Sequence, residues 1–137
     1  MLCIPKKNST LCTIFNVQQQ NENTWKNVTP FPDQDAICHD IAQANFRSKL
    51  DMTDAYEQMC IRPEDVCMTM SFSMIFSTFQ SQVMQMGDCN APSTFWQLMT
   101  TIFQEFLRRF VHVYLDNIFI YSQSIREHIE HIMKVLQ

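Results

Sequence analysis

The stretch from Phe110 to Tyr121 is apolar, β-branched and aromatic on both sides of one carboxylate, Asp116. Such residues suit strands, and Asp116-Asn117 is a turn-type pair. The stretch therefore predicts two short strands joined by a tight hairpin with that pair at its tip. Before it, Phe95, Leu98, Met99, Ile102, Phe103 and Phe106 fall at helical spacing. Pro92 suits a first helical turn, so a strong helix is predicted from Asn90. After the hairpin, Ser124 and Glu127 have the spacing of a capping box. They open a closing helix from Ser124 to Gln137, with Ile125, Ile129, Ile132, Met133 and Leu136 on one face.

Upstream, Asp33 suits the N-cap of a short helix from Asp33 to Ala44, whose Ala36, Ile37, Ile41 and Ala44 share a face. Phe46 to Leu50 predicts a strand ending at Asp51. Thr53 or Asp54 caps a short helical turn within residues 52–60, and Ile61 to Asp65 predicts a turn. Val66 to Met74 and Ile75 to Met84 predict a strand pair turning around Ser77. Residues 1–30 are short apolar fragments broken by polar clusters, Gln18 to Asn27 among them, and read as one hairpin or loose strand pair. Thr29 to Pro32 is extended, because each proline restricts its predecessor. Strands and helices in this arrangement make an α+β chain.

Composition narrows the classes. Of 137 residues, 46% are hydrophobic, enough for a core and contrary to disorder. No apolar run reaches the length of a membrane span, and the first residues lack the order of a signal peptide. The expectation is an intracellular chain with no membrane partner. The six cysteines show no paired CxxC spacing, which predicts reduced thiols and neither a zinc site nor a disulfide frame. A net charge of −4 gives no general attraction to nucleic acid. The single glycine, Gly87, is abnormal against the roughly ten that average usage would give. Turns that need a positive φ must then use other residues.

A carboxylate on a hairpin tip beside a core costs free energy unless it meets a cation or a donor. Asp116 is therefore a candidate metal ligand, and Asp51 at a strand end is a second. If strand and hairpin are neighbours in one sheet, the two carboxylates converge. Converging carboxylates hold divalent ions that clamp the oxygens of a phosphoryl transfer, and magnesium suits such a site. The backbone carbonyl of Met52 offers a further ligand. Taken alone, an aspartate after a strand is most often a turn or cap residue.

The ordered pattern lifts these two above that reading. In sequence it comprises Ile4 to Lys7 with Thr10 and Leu11, Thr29 to Asp33, Ser48 to Tyr56 with Gln58, Ile61 to Asp65, Met84 to Phe95, and Phe110 to Asp116. It resembles the reverse transcriptase domain of gypsy-type LTR retrotransposons over nearly the whole chain. The resemblance implies a reverse-transcriptase palm, a ferredoxin-like antiparallel sheet backed by helices, over residues 46–137. Residues 1–45 would be a partial fingers region. It implies an RNA-directed DNA polymerase using two Mg2+ ions, an RNA or DNA template-primer and dNTP, within a longer polyprotein. Asp51 and Asp116 would hold the ions. Tyr56 would lie under the incoming sugar, Lys6 or Lys7 would meet the triphosphate, and Gly87 would let the backbone approach primer or nucleotide.

Departures from the family pattern fall on the chemistry. Asn117 stands where a second aspartate is usual. Losing one charge about 4 Å from a divalent ion is worth several kcal/mol at an effective dielectric near 20, on the order of a hundredfold or more in rate. Cys12 replaces a forked arginine donor. Gln85 and Met86 replace proline and phenylalanine before the glycine, and Gln18, Asn16 and Ser77 also depart. Most of these changes can each arise by one transition mutation, which suggests a degenerate element copy. An excess of such transitions against sister copies is the expected DNA signature, and its absence sinks that idea. Two readings stand side by side: an impaired polymerase domain fragment, and a non-catalytic remnant that keeps the fold with at most weak nucleic-acid binding. The remaining residues read as structural. His128 and His131 are expected on the surface, His112 in the core or on a sheet face, Arg108-Arg109 as helix C-terminal cations, and the methionine cluster as core filler.

Overall fold

Val111, Val113, Ile118 and Ile120 are almost wholly buried, and their alternation with polar or aromatic neighbours sets the centre of the fold. A computed structural model describes residues 2–5, 11–14, 16–69, 71–73 and 75–137, with side chains from Asn16 onward. In chain order the elements are β1 (Leu2–Pro5), β2 (Leu11–Ile14), α1 (Gln18–Glu22), α2 (Gln34–Gln43) and β3 (Phe46–Asp51). Two 3-10 turns follow, Tyr56–Gln58 and Pro63–Met68, then β4 (Ser71–Ser73), β5 (Thr78–Gln80) and α3 (Ala91–Ile102). The chain closes with β6 (Val111–Tyr114), β7 (Asn117–Ser122) and α4 (Ile125–Val135). These form two compact units that interleave in sequence.

One unit comprises Asn27–Ala55 and Pro92–Gln137. Its sheet has the antiparallel order β3-β7-β6. The register sets Ser48 opposite Ile120, Leu50 opposite Ile118, and Val113 opposite Ile118 on the other side. Opposed residues share a face, so Ser48, Leu50, Val111, Val113, Ile118, Ile120 and Ser122 line one side. Each fully buried aliphatic side chain there contributes ~1.5–3 kcal/mol. Helix α4 packs on this face: the His128 ring meets Ser48 Oγ at 2.8 Å and Ser122 Oγ at 3.0 Å. Helix α2 covers the opposite face, where Asp40 Oδ2 meets His112 Nε2 at 2.8 Å and Gln34 Nε2 donates to the Tyr114 hydroxyl. Asp33 caps α2 as expected, accepting from the Asp35 N–H.

The other unit comprises Met1–Lys26 and Tyr56–Ala91. β1 and β2 form an antiparallel pair, and β4 and β5 form a second, with the Phe72 and Phe79 rings stacked at 5.6 Å. Residues 59–61 and 82–84 are tied by Met84 N–H to Met59 C=O and Ile61 N–H to Gln82 C=O, both 2.9 Å. The strands are shorter than the sequence predicts. Pro63 at the first turn, followed by Glu64 and Asp65, draws residues as far as Met68 into a 3-10 helix, leaving Ser71–Ser73 as the extended part among the described residues. Gln18 to Asn27, read as a polar break, contains α1, which has no apolar face to announce it.

Two further expectations are overturned. Tyr114 and Asn117 are paired Cα partners, so the hairpin loop is Leu115-Asp116 and Asn117 begins β7. Leu115 takes φ 53 to close that loop. His128 is buried and His131 half-buried, rather than on the surface. The His131 ring lies 3.8 Å from the Phe110 ring, nearly parallel, and its Nδ1 is 2.8 Å from Ser122 Oγ. The sheet offers hydroxyls and a ring at this point, and these recruit the histidine face of α4. Ile125, Ile129, Met133 and Leu136 are consequently 56%, 57%, 55% and 65% exposed.

The prediction that other residues would adopt positive φ is met at Asp54 (φ 52), Arg108 (φ 62) and Leu115 (φ 53). Arg108 and Arg109 lie beyond the end of α3 at Ile102, not in its last turn. The methionines divide: Met99 is buried, whereas Met68 and Met86 are largely exposed. Cys38, Cys60, Cys67 and Cys89 are free thiols.

Candidate functional site

Asp51 and Asp116 come to one end of the three-stranded sheet by way of backbone pairing. β3 runs to Asp51, which lies opposite Asn117, the first residue of β7. The next residue, Met52, donates its N–H to the Asp116 carbonyl at 3.0 Å. Strand end and hairpin tip are thus fixed to each other through main-chain bonds that no side-chain rotation disturbs. Met52 itself holds to the tip through its N–H.

Each carboxylate already has a donor from this chain. Lys49, two residues before Asp51 on the same strand face, places Nζ 3.7 Å from Asp51 Oδ2. More than half of each side chain is exposed, so the pair is worth little. At the tip, Asn117 Nδ2 donates to Asp116 Oδ1 at 3.1 Å. Asn117 Oδ1 is buried and has no hydrogen-bond partner. A buried acceptor left without a donor is costly. The amide is therefore turned to serve Asp116 at the expense of its own oxygen. Both carboxylates and the amide oxygen are hard donors of the kind magnesium accepts. Among the described residues, no three histidine, cysteine, aspartate or glutamate side chains form a metal-binding group. The residues present fit a divalent ion with two carboxylates and not with three.

Tyr56, Gly87, Gln85 and Met86 belong to the other unit. Tyr56 opens a 3-10 turn and is half-buried. Gly87 adopts φ +111, and a Cβ added there would lie 3.2 Å from Val17 Cγ2. Only glycine takes that conformation comfortably. Asn21 on α1 grips this turn with both ends of its amide: Nδ2 donates to the Gly87 carbonyl at 2.8 Å, and Oδ1 accepts from the Cys89 N–H at 2.9 Å. Gln85 donates to Ser81 Oγ at 2.8 Å, and Met86 is exposed. Lys6 and Lys7 lie outside the described residues. Cys12 pairs with Ile4 in the β1–β2 register, its side chain outside the described set.

Sequence reading did not single out Lys49, Asn21 or Gln34. Lys49 was legible, since alternate strand residues share a face. Asn21 and Gln34 act over 66 and 80 residues of separation and carry no local signal. A cavity of about 640 Å3, lined by Phe31, Ile37, Asp40, Trp96, Arg108 and His112 among others, includes neither Asp51 nor Asp116. No described helix is long and apolar enough to cross a membrane.

Residues 6–137 match the family described as Reverse transcriptase (RNA-dependent DNA polymerase). The chain is 38% identical over 119 residues to an RNA-directed DNA polymerase homolog of Oenothera berteroana, covering 82% of this chain and 80% of the relative. It is 31% identical over 137 residues to the Transposon Tf2-7 polyprotein of Schizosaccharomyces pombe, covering 100% of this chain but 10% of the polyprotein. Among solved structures, native prototype foamy virus protease-reverse transcriptase superposes with a TM-score of 0.86 at 20% identity, over 98% of this chain and 18% of that one. The foamy viral protease-reverse transcriptase in complex with RNA/DNA hybrid gives 0.82 at 16% identity, over 97% and 18%. At those identities the likeness is one of fold, a mixed α/β chain with an antiparallel sheet.

Proposed function

The chain belongs to the reverse transcriptase family, and on that premise we propose that it is the polymerase-site segment of a gypsy-type retroelement polyprotein. Its substrates are an RNA or DNA template-primer and dNTP, and its turnover is impaired. Residues 46–137 form the palm, and residues 1–45 part of the fingers. Asp51 and Asp116 are the catalytic carboxylates, with the Met52 carbonyl beside them. Lys6, Lys7, Tyr56 and Gly87 serve the nucleotide, by family position. Asn117, Cys12, Gln85 and Met86 are the degenerate positions. The observation that carries this reading is the register that sets Asp51 opposite Asn117 while Met52 holds the Asp116 carbonyl.

Divalent ions bound there would screen the triphosphate and favour ionisation of the attacking hydroxyl. The chain's own contribution is positional. The sheet brings the two aspartates to one end, and Lys49 stands 3.7 Å from Asp51 Oδ2. Asn117 contributes a donor where a third negative charge would be needed, and this lowers turnover by a hundredfold or more at about 1.36 kcal/mol per tenfold.

A primer-extension assay with Mg2+ tests the proposal. Weak extension that disappears in Asp116→Ala and rises in Asn117→Asp is expected. Extension equal in the chain and in Asp116→Ala overturns the site assignment. The second reading, a remnant without catalysis, is favoured by the Asn117 bond to Asp116. It is distinguished by template-primer binding, followed by fluorescence anisotropy, with no extension even in Asn117→Asp.

A further inference from the structure

We infer that Asn117 makes this a one-ion site. The inference rests on the assignment of Asp51 and Asp116 as metal ligands and concerns how many ions they can share. A carboxylate oxygen that already accepts a hydrogen bond has one lone pair fewer, and less negative charge, to offer a cation. Asp116 has one committed, because Asn117 Nδ2 donates to Oδ1 at 3.1 Å. The orphaned, buried Asn117 Oδ1 shows what sets this orientation. The amide's oxygen has no donor, so the bond to Asp116 is the interaction that holds the side chain. Rotating the amide would bring its oxygen against a carboxylate oxygen, which is repulsive.

Charge points the same way. Asp51 and Asp116 carry −2, and Lys49, 3.7 Å from Asp51, carries +1. One divalent ion leaves this cluster at +1, whereas two leave it at +3. An aspartate at position 117 would lower each of those totals by one and remove the amide donor from Asp116. Two ions in such sites lie about 3.5–4 Å apart, where without substrate phosphates two carboxylates offset their mutual repulsion less than three would. The asparagine weakens that offset twice, by carrying no charge and by occupying an oxygen of the carboxylate that remains. Asp51 and the free Asp116 Oδ2 hold a single ion.

Mn2+ binding to the 137-residue chain, counted by the loss of the free-ion EPR signal, reads this without reference to activity. The chain is expected to bind one Mn2+ more than Asp116→Ala, and Asn117→Asp two more, with at least tenfold tighter binding of the first. Asn117→Ala frees the Asp116 oxygen without adding charge, so it keeps one ion and tightens it a few-fold. Circular dichroism checks that each variant folds. Two ions lost between the chain and Asp116→Ala overturn the one-ion inference and leave the site assignment standing. No ion lost in either Asp51→Ala or Asp116→Ala overturns the site assignment and the inference with it. Equal counts in Asn117→Asp and the unaltered chain overturn the role given to the asparagine.

Discussion

The two compact units of this chain are held together in different ways. The unit built on β3, β7 and β6 buries eleven apolar side chains, including Phe95, Val111, Val113 and Ile120. In the other, among the described residues, only Val17 and Ala91 are buried hydrophobics. That unit depends on polar clamps: the Asn21 amide on the Gly87 turn, Asn90 Nδ2 on the Trp25 carbonyl, and Thr69 Oγ1 on the Ser81 carbonyl. The carboxylate pair sits on the first kind of scaffold, the glycine turn on the second. Apolar burial is distributed over many contacts, whereas a clamp depends on one residue. The comparison therefore teaches that the Asp51–Asp116 edge is the more robust of the two.

The largest effect that sharpens this contrast is Ile120→Ala, which opens a cavity under the sheet. A loss of ~2–5 kcal/mol is expected in denaturant unfolding. A loss under about 1 kcal/mol would mean that the sheet does not carry the core assigned to it. Next, Asn21→Ala removes two hydrogen bonds and leaves two backbone groups unpaired. About 1–3 kcal/mol is expected, confined to its own unit. Hydrogen exchange should accelerate at residues 85–90 and stay unchanged in β6 and β7, and uniform acceleration contradicts the division. Gly87→Ala forces an L residue into φ +111 with its Cβ 3.2 Å from Val17 Cγ2. The expected cost is roughly 1–2 kcal/mol in that same unit. Protease cleavage within residues 81–91 reads it, and resistance equal to the parent chain contradicts it.

A smaller effect concerns pH. Burial holds the His131 imidazolium below its ordinary value, and Lys134 and His128 add to this, while Glu127 and Glu130 oppose it. The unfolded chain therefore binds that proton more tightly than the folded one. The stability this group contributes is present above its unfolded pKa of about 6.5 and is lost as pH falls through the lower folded value. A modest fall in melting temperature is expected between pH 7.5 and 5.5, smaller in His131→Phe. An equal fall in both would assign the pH response to other groups. The smallest effect is Arg126→Ala, which removes an exposed i,i+4 pair with Glu130 at 3.7 Å. It should cost about 0.5 kcal/mol or less.

Much of this architecture was legible from residue pattern. Asp33 caps α2, Ser124 and Glu127 close a capping box on α4, and β3 ends at Asp51. These signals are local, so a short window of sequence contains them. The failures arise where a distant partner decides. Helical spacing marked the isoleucines of α4 as its inward face, but Ser48, Ser122 and Phe110 select His128 and His131 instead. The hairpin tip lies one residue earlier than propensity predicts, because propensity favours Asp-Asn whereas the register uses a leucine at φ 53. α1 has five residues and no apolar period, so nothing in its sequence distinguishes it from a loop. At the site, the strand-end position of Asp51 and the ordered resemblance pointed to the carboxylates. The hydrogen bond that the Asn117 side chain donates to Asp116 has no signature in the sequence.

Leu115, Arg108 and Asp54 hold a backbone conformation that L side chains resist. In most proteins glycine occupies such positions, and engineers stabilise a chain by removing glycine elsewhere. Here the direction reverses. Leu115→Gly would release about 1–2 kcal/mol of left-handed strain while adding roughly 0.5–1 kcal/mol of unfolded-state entropy. The net gain is about 0.5–1 kcal/mol, small beside the burial of the strands on either side. A hairpin tip can therefore close without glycine at a modest thermodynamic cost.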